Sequence, residues 1–480
     1  MPHGVMFQFF EWHYPADGSL WRRLESEAER LRALGVTAVW APPPYKGMGG
    51  AKDTGYGLYD LYDLGEFDQK GSVRTKYGTR DEFERALKAS HAAGLRVYVD
   101  VQFNHRMGGD ELEEVEVEEV DWDNREEVVG PPHTIRAWSR FTFPGRAGAY
   151  SSLTLHRDHF NAFTYNHDAP DERKLYRVVG KAFAEDAGVG GAATDYLLGE
   201  NVDTSHPEVR ADLFHWGEWF VGTFGVDGFR IDAVKHVSTG FVRDWLSHVR
   251  GKFADRELFA VGEFWSGELD ELDRYIDRLD GAVSLFDVPL HLRFAEASEK
   301  GSEFDLRTIF HGTLVEHRPD VAVTFVDNHD TQPGQTIGTW LKDWFKPHAY
   351  ACILLREQGY PCVFYGDYYG NKDEKHRLTS HRAVIDALLK ARTRMKGERR
   401  DYFDHPNCIG WVWTGDEANF PIATLLSNGD AGRKRMRVPF GRRVYRDVTG
   451  GVPGTITTDD EGAAEFTCPA GGISVWCAEE

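Results

Sequence analysis

The sequence lacks the features by which membrane, nucleic-acid-binding and nucleotide-binding proteins are recognised. No run of roughly 18 apolar residues occurs, so we expect no membrane span. The 480 residues carry a formal net charge of −21 without a block of Lys and Arg, so we expect no nucleic-acid partner. Neither a GxxxxGK(S/T) loop nor a GxGxxG turn after a strand is present, which disfavours nucleotide binding.

Cysteine is scarce, and its spacing matches no zinc pattern. The odd number predicts buried, reduced thiols at Cys352, Cys362, Cys408, Cys468 and Cys477. The first residues show no basic region followed by an apolar stretch and a small-residue cleavage site. The sequence therefore favours a cytoplasmic protein over a secreted one whose signal peptide has been removed.

Strand-like and helix-like segments alternate along most of the chain. Three early strands are predicted at 5–11, 36–40 and 95–103, and five later ones near 226–233, 259–264, 283–288, 321–328 and 362–366. Helical stretches separate them, at 20–34 and 79–91 and near 207–224, 239–253, 267–279, 289–300, 340–357 and 380–395. Eight β/α units predict an α/β fold, a (β/α)8 TIM barrel whose active site lies at the C-terminal ends of its strands.

Two parts of the chain break this alternation. Residues 104–206 are an irregular, β-rich excursion after strand three, and their acidic stretch 110–121 is predicted to be a solvated strand or ribbon rather than a metal site. From 397 to 480, short apolar runs predict an antiparallel β-sandwich. We therefore predict three domains: the barrel at 1–103 and 207–396, the excursion at 104–206 and the C-terminal domain at 397–480.

Carboxylates follow two of the predicted barrel strands. Arg230 and Asp232 lie two residues apart at the end of strand four, so their side chains point to the same side. An adjacent Arg keeps a carboxylate ionised, as a nucleophile requires. Glu263 ends strand five between apolar and aromatic residues, and partial desolvation there suits a general acid.

Two more strands end in polar residues, Asn104-His105 after strand three and Asp327-Asn328-His329-Asp330 after strand seven. Taken alone, an Arg-x-Asp pair is more often a structural ion pair and the other runs are polar turns. Their joint position at the strand ends of one barrel favours a site. Two carboxylates about 5–5.5 Å apart give retaining glycoside hydrolysis. Metal catalysis is the rival chemistry, and the sequence contains no HExxH or His-x-His signature.

The segments DVQFNH, GFRIDAVKH, VGEFW and FVDNHD resemble the four sequence regions of the α-amylase family, glycoside hydrolase family 13. FQFFEW, TAVWAPPPYKG, FDVPLH and GYPCVFYGDYYG are similar to segments of its liquefying bacterial-type members. The resemblance covers nearly the whole chain and is looser at 110–200 and in the C-terminal domain. It implies hydrolysis of internal α-1,4-glucosidic bonds in an α-glucan polysaccharide or maltooligosaccharide, and we expect a monomer.

The resemblance implies a role for each site residue. Asp232 is implied as nucleophile, Glu263 as general acid/base and Asp330 as transition-state stabiliser. Arg230 is implied to orient Asp232. Substrate contacts are implied for His105, His329, Tyr56, Lys235, His236 and Trp265.

A calcium ion is also implied, where the excursion meets the barrel. The positions that match its ligands are Asn104, Asp195, Asn201 and the backbone carbonyl of His236, which offer the oxygens that Ca²⁺ prefers. Similar proteins often hold a calcium–sodium–calcium cluster on several Asp. Here Asp203 remains, but Asn161, Ala184 and Ser205 stand at positions where carboxylates are expected. A further site between barrel and C-terminal domain has Asn407 and Asn428 in place of acids. Fewer anions hold cations more weakly, so we predict one calcium at the Asn104 site, at most one more nearby, and no strong sodium site.

Three rivals remain open on the sequence. Exo-release of a single maltooligosaccharide and transglycosylation use the same carboxylates, and the loops near His236 and Trp265 decide between them. A non-catalytic glucan-binding protein on the same fold typically lacks one of the three carboxylates. All three are present in this chain.

Overall fold

The computed structural model describes residues 4–416 and 419–479, and its centre is a closed barrel of eight parallel strands. We number these strands β1 to β8 along the chain, and each pairs with the next, with β8 closing on β1. The strands are Met6–Gln8, Ala38–Ala41, Arg96–Val101, Gly228–Ile231, Phe259–Gly262, Ser284–Phe286, Ala322–Phe325 and Tyr360–Phe364. The barrel predicted from the β/α alternation is confirmed.

The barrel strands are almost entirely buried because helices cover their outer face. In order along the chain, α1 to α10 are Leu20–Ala33, Arg80–Ala92, Pro207–Phe224, Thr239–Lys252, Leu269–Arg278, Val288–Lys300, Leu314–His317, Lys346–Leu354, Tyr365–Tyr369 and Arg382–Thr393.

Local sequence signals fix several helix ends. α2 begins with a capping box, in which the Thr79 hydroxyl accepts from the backbone of Glu82 while the Glu82 side chain accepts from the backbone of Thr79. α3 begins at Pro207 and ends at Gly225, whose φ of +65° is a conformation that glycine adopts without strain. α8 begins at Lys346, next to Pro347, rather than near residue 340 as the apolar pattern suggested.

A six-stranded antiparallel sheet lies between β3 and β4 in the chain. Its strands are His105–Arg106, Glu111–Val120, His133–Arg140, Phe160–Phe163, Leu175–Val178 and Glu200–Val202. The acidic stretch forms a strand, as predicted, and it is the longest of the six. Val115, Val117 and Val120 are buried, while the glutamates between them are exposed or half-buried.

The C-terminal part consists of a six-stranded and a two-stranded antiparallel sheet around a separate core. The larger sheet contains Arg399–His405, Cys408–Trp413, Ile422–Ser427, Val444–Asp447, Thr455–Thr457 and Ile473–Ala478. The smaller contains Gly432–Arg437 and Ala463–Cys468. In the described part of the chain, no helix combines the length and apolar composition needed to cross a bilayer.

Candidate active site

An open cleft of about 720 Å³ lies at the C-terminal ends of the barrel strands. The structure brings together there most of the side chains that the sequence predicted. Asp232, Glu263, Asp330, Tyr56, His105, Lys235, His236 and Trp265 line the cleft. Arg230 and His329 are fully buried beneath them. The predicted substrate and catalytic residues therefore occupy one place.

Arg230 joins the carboxyl groups of Asp232 and Glu263. Its Nη1 donates to Asp232 Oδ1 at 2.5 Å, and its Nη2 lies 2.9 Å from Glu263 Oε2 as an ion pair. One guanidinium thus bridges the ends of β4 and β5 and keeps the carboxyl groups close to each other. The backbone N–H of Ala233 also donates to Glu263 Oε2, at 3.1 Å.

The barrel ladder continues past the strands and fixes the backbone of both residues. The N–H of Asp232 donates to the carbonyl of Val101 at 2.8 Å, and the N–H of Glu263 donates to that of Ile231 at 2.9 Å. Ala233 then turns the chain with a φ of +45°, a strained conformation for a residue with a Cβ. Such strain is found where the surrounding structure holds a functional turn in place.

Asp100 is a site residue that the sequence analysis did not include. It is fully buried at the end of β3. Its carboxylate accepts from Arg230 Nη1 at 3.0 Å, from the Tyr56 hydroxyl at 2.8 Å and from Trp40 Nε1 at 3.1 Å. Asp100 thereby orients Arg230 and Tyr56. Its place in the DVQFNH segment was the available signal.

Four carboxyl groups surround this one guanidinium, so they cannot all be ionised without strong repulsion. Burial raises the pKa of Asp232, and Arg230 opposes that rise by direct contact. Asp330 has no such cationic contact, and burial with the charge of Glu263 raises its pKa to about 8. Burial thus favours the protonated form of Asp330, while direct contact with Arg230 favours the ionised form of Asp232.

His329 is held as a neutral imidazole beside Asp330. Burial lowers its pKa well below the usual value, and Arg230 adds to that effect. The amide of Gln8 donates to His329 Nδ1 at 3.0 Å, which leaves the proton on Nε2, 3.2 Å from Asp330 Oδ2. His329 can thus donate a hydrogen bond toward the cleft.

Three rings stand parallel at the floor of the cleft. The Tyr56 ring lies 5.1 Å from that of His329 and 5.9 Å from that of Trp12, with interplanar angles of 13° and 5°. Flat rings of this kind stack on the C–H faces of sugars. Trp12 was missed in the sequence, although it follows the end of β1 closely.

The rim of the cleft is part polar and part apolar. Lys235 Nζ lies 3.5 Å from Glu271 Oε2. The His236 ring is hydrogen-bonded through Nδ1 to the carbonyl of Thr194 at 2.7 Å. Exposed Met48, Leu197 and Leu198 supply apolar surface that the sequence analysis did not anticipate.

The predicted calcium ligands also meet. The Asn104 amide nitrogen lies 2.6 Å from the carbonyl oxygen of His236 and 3.1 Å from Asn201 Oδ1. Asn201 in turn donates to the carbonyl of Asp195 at 3.1 Å. Burial raises the pKa of the Asp195 carboxyl to about 7. A nearby cation would favour its ionised form.

The hydrogen bonds of His105 show that a cation fits this group. Burial lowers the pKa of His105 to about 3, so the ring is neutral and carries a single proton. His105 Nε2 lies 2.9 Å from the carbonyl of Tyr56, so the proton is there and Nδ1 is an acceptor. Asn104 Oδ1 now faces Nδ1 at 3.1 Å, a contact of two acceptors. Turning the Asn104 amide by about 180° removes this unfavourable contact. Oδ1 then faces the oxygens of His236 and Asn201, and a hard cation is a suitable partner for these three oxygens.

Asp203 belongs to a different arrangement. Lys181 Nζ donates to Asp203 Oδ2 at 2.6 Å, and the Ser205 hydroxyl donates to Oδ1 at 2.5 Å. Lys181 also donates to the carbonyl of Asp158 at 2.8 Å. The charge of Asp203 is thus already neutralised by an ammonium group. These residues do not form a second site of the expected kind.

Asparagine amides likewise bridge the barrel and the C-terminal sheets. Asn428 Nδ2 donates at 2.8 Å to the carbonyls of Gly301 and Phe304, and Asn407 Nδ2 donates at 2.6 Å to that of Ser302. These carbonyls already accept hydrogen bonds from the amides, so they need no cation as a partner. The structure therefore does not fit a calcium ion at this junction.

A cluster of His156, His159 and Glu208 lies outside the cleft, with one ligand atom of each within 4.8 Å of the others. The backbone N–H of His156 donates to His159 Nδ1 at 3.1 Å, which places the ring proton on Nε2. That nitrogen donates to Glu208 Oε2 at 3.1 Å. Because a metal needs a free lone pair on Nε2, we assign no metal to this cluster.

Comparisons with known proteins agree with this geometry. A sequence model described as the α-amylase catalytic domain matches residues 23–139 and 193–426. The chain is 45% identical to an α-amylase of Geobacillus stearothermophilus over 99% of its own length and 87% of that protein. It is 44% identical to a glucan 1,4-α-maltohexaosidase of Bacillus sp. strain 707, covering 99% and 92%. It is 40% identical to the cytoplasmic α-amylase of Escherichia coli K12, covering the whole of both chains.

A solved structure of α-amylase I from Eisenia fetida supports the fold. It superimposes with a TM-score of 0.68 at 16% identity, and the match covers 99% of this chain and 97% of that one. The matched domain model and three relatives of at least 40% identity along nearly the full length carry the assignment. The chain belongs to the α-amylase family of glycoside hydrolases.

Proposed function

We propose that the chain is an endo-acting α-amylase that hydrolyses internal α-1,4-glucosidic bonds in starch, glycogen and related glucans with retention. The observation that carries the proposal is the bridge of Arg230 between Asp232 and Glu263 at the floor of an open cleft. An open cleft admits a glucan along its length, so the enzyme need not begin at a chain end.

In the first step, Glu263 gives its proton to the glucosidic oxygen as Asp232 attacks the anomeric carbon. The bond to the leaving sugar breaks, and a glycosyl ester forms on Asp232. Arg230 holds Asp232 ionised and aimed at the substrate. In the second step, the ionised Glu263 takes a proton from water, the water attacks the anomeric carbon, and the bond to Asp232 breaks to restore its carboxylate and release the sugar. Two inversions leave the configuration unchanged.

Asp330 and His329 act on the sugar at the cleavage point. Asp330 hydrogen-bonds to hydroxyls of this sugar and stabilises the partial positive charge that develops in the transition state. His329 and His105 donate hydrogen bonds to hydroxyls of the same sugar, and the Tyr56 ring stacks on its face. Lys235, His236 and Trp265 line the neighbouring subsites.

Calcium is proposed at Asn104, Asp195, Asn201 and the His236 carbonyl, where it joins the excursion to the barrel and steadies the cleft wall at His236. We propose one such ion, at most one more nearby, and no strong sodium site, because Lys181 already neutralises Asp203. We propose that residues 1–103 and 207–396 form the catalytic domain, 104–206 the calcium-binding domain and 397–480 the C-terminal domain.

We propose a monomeric enzyme located in the cytoplasm. The match to a cytoplasmic relative over the whole of both chains supports this location. The five cysteines are all buried and unpaired, as expected of a protein kept in a reducing compartment.

The catalytic assignment is tested by Glu263→Gln. This variant keeps the size of the side chain but cannot give or take the proton, so activity on amylose should fall by several orders of magnitude while the fold remains. Glu299→Gln, on the exposed face of α6, is the matched control and should retain full activity. Hydrolysis retained by Glu263→Gln would refute the assignment.

The second candidate is exo-release of one maltooligosaccharide, which the 44% identity to a maltohexaosidase favours. Endo attack lowers the viscosity of amylose before much reducing sugar appears. An exo enzyme yields one product from the start with little early loss of viscosity. The ratio of viscosity loss to reducing ends at early times decides between them.

A further inference from the structure

Two cysteines from different sheets meet in the C-terminal core. Cys408 begins a strand of the larger sheet, and Cys468 ends a strand of the smaller one, directly opposite Gly432. The sulfur of each cysteine lies 2.7 Å from the point where a Cβ on Gly432 would stand. The missing side chain at Gly432 therefore creates the space that both sulfurs share. The sulfurs of Cys408 and Cys468 are therefore separated by no more than twice this 2.7 Å distance.

Only one of the two thiols is open to a reagent from solvent. Cys408 lines an open cavity of about 930 Å³, together with Asn428, Arg433 and Lys434. Cys468 does not line it and is 2% exposed. A small molecule that enters this cavity meets Cys408 first, with Cys468 behind it.

Charge also distinguishes Cys408 from the other cysteines. The hydrogen bond from Cys468 and the ammonium of Lys434 lower the pKa of Cys408 to about 7. Burial raises the pKa of Cys352 and Cys362 to about 12 and that of Cys477 to about 11. The hydrogen bond to Cys408, together with burial, raises the pKa of Cys468 as well. Because the thiolate is the nucleophile, Cys408 is the reactive sulfur of the five at neutral pH.

We propose that Cys408 is a thiol–disulfide exchange site for low-molecular-weight disulfides, and that Cys468 resolves the mixed disulfide by closing a reversible Cys408–Cys468 bond. The Cys408 thiolate attacks one sulfur of the external disulfide, whose S–S bond breaks and releases one thiol. Cys468 then loses its proton and attacks the Cys408 sulfur, which releases the second thiol. Two electrons pass from the protein to the external disulfide, which is reduced to two thiols.

The closed bond links the two sheets of the sandwich across their core. Neither sulfur lines the catalytic cleft, so the bond changes the stability of the C-terminal domain and leaves the active site intact. A cross-link between residues distant in sequence restricts the unfolded chain, and its formation raises the thermal midpoint.

The test uses the folded, calcium-loaded enzyme and oxidised glutathione as the probe. We expect the wild type to lose two titratable thiols and to yield, on mapping without reductant, one peptide pair joined through Cys408 and Cys468. The thermal midpoint should rise by several degrees and return after dithiothreitol, with activity on soluble starch unchanged. Cys468→Ser should accumulate glutathione on Cys408, Cys408→Ser should take up none, and Cys477→Ser should behave as the wild type.

Three results would overturn the proposal. One is wild-type enzyme that keeps all five thiols after treatment. Another is glutathione that remains on Cys408 in the wild type without the joined peptides, since Cys468 then does not resolve it. The third is modification of Cys352, Cys362 or Cys477 ahead of Cys408. Should a serine variant fail to fold, the peptide map of the wild type still decides.

Discussion

The guanidinium of Arg230 is shared by several carboxyl groups of the active site. Three of the four surrounding carboxyl groups, Asp100, Asp232 and Glu263, contact it directly. Asp330 does not, and burial with the charge of Glu263 raises its pKa to about 8. Burial raises the pKa of Asp100, Asp232 and Asp330 alike, and the charge of Arg230 opposes the rise at each of them.

The raised pKa of Asp330 predicts how the stability of the fold depends on pH. The pKa of Asp330 is about 8 in the folded chain, against an ordinary 3.8. Between those values the folded chain holds a proton that the unfolded chain has released, so the contribution of Asp330 to the free energy of unfolding falls as pH rises. The Asp330→Asn variant has no carboxyl group to titrate, so its free energy of unfolding lacks this decrease. We expect the thermal midpoint of the variant, relative to wild type, to increase from pH 4 to pH 8.

Thermal denaturation at several pH values checks this prediction. Asp320→Asn, in an exposed turn, is the matched control and should show no comparable trend. A difference between Asp330→Asn and wild type that stays constant or shrinks as pH rises would show that Asp330 is ionised in the folded enzyme.

At the residue scale, the sequence predicted the three carboxyl groups that line the cleft and missed the residues that support them. Asp232, Glu263 and Asp330 follow apolar strands, and their family motifs are strong. Asp100 and Trp12 follow strands as well, but Asp100 acts through Arg230 and Tyr56, and such contacts between distant segments leave no mark on local spacing. The pairing of Asp203 with Lys181 was hidden for the same reason.

Among the secondary-structure elements, α8 is joined to its neighbours by a buried cation. Lys346 Nζ lies 2.9 Å from Asp327 Oδ2, beyond the end of β7, and also contacts Asp367 in α9. All three side chains are fully buried. The Tyr350 hydroxyl completes the group by donating to Asp367 Oδ2 at 2.7 Å.

Lys346→Met should destabilise the fold strongly, because it leaves two buried carboxylates without a cation. Loss of one partner of a buried pair costs about 3–5 kcal/mol. Lys342→Met removes a half-exposed partner of Glu299 and should cost less than about 1 kcal/mol. Chemical denaturation of both variants gives the two free energies of unfolding. Equal losses would mean that the buried cation contributes nothing beyond a surface pair.

Elements with a clear apolar pattern were predictable, and those without one were not. The eight barrel strands are short apolar runs, and each appears near its predicted position. Gly432–Arg437 was missed because four of its six residues are basic, although Lys434 and Met436 point inward. The helices α7 and α9 were missed because four or five residues are too few to show the helical period of apolar residues.

For the whole molecule, we predict few bound cations. Among the described residues, Asp195 in the group around Asn104 accepts hydrogen bonds from Asn161 and the backbone of Ala184 and forms no ion pair. Asp203, by contrast, is paired with Lys181, and the C-terminal junction has amide donors. We therefore expect elemental analysis after dialysis to find one tightly held calcium per chain, at most two. A chelator should lower the thermal midpoint, and sodium should have little effect.

Two variants locate the ion. Asp195→Asn removes the buried carboxylate and should abolish tight calcium binding. Asp203→Asn is the matched control and should keep it, since that carboxylate is paired with Lys181. Three or more tight calcium ions per chain, or the reverse behaviour of the two variants, would contradict the proposed site.

The central claim is that Asp232 becomes covalently bonded to the sugar, and trapping that bond tests it most directly. A fluorinated maltosyl fluoride forms the ester and slows its hydrolysis, so the intermediate accumulates for mass spectrometry of the digested protein. We predict one added glycosyl group on the peptide that contains Asp232, and none in Asp232→Asn. A label on another carboxylate, or inverted product released without any covalent species, would contradict the account.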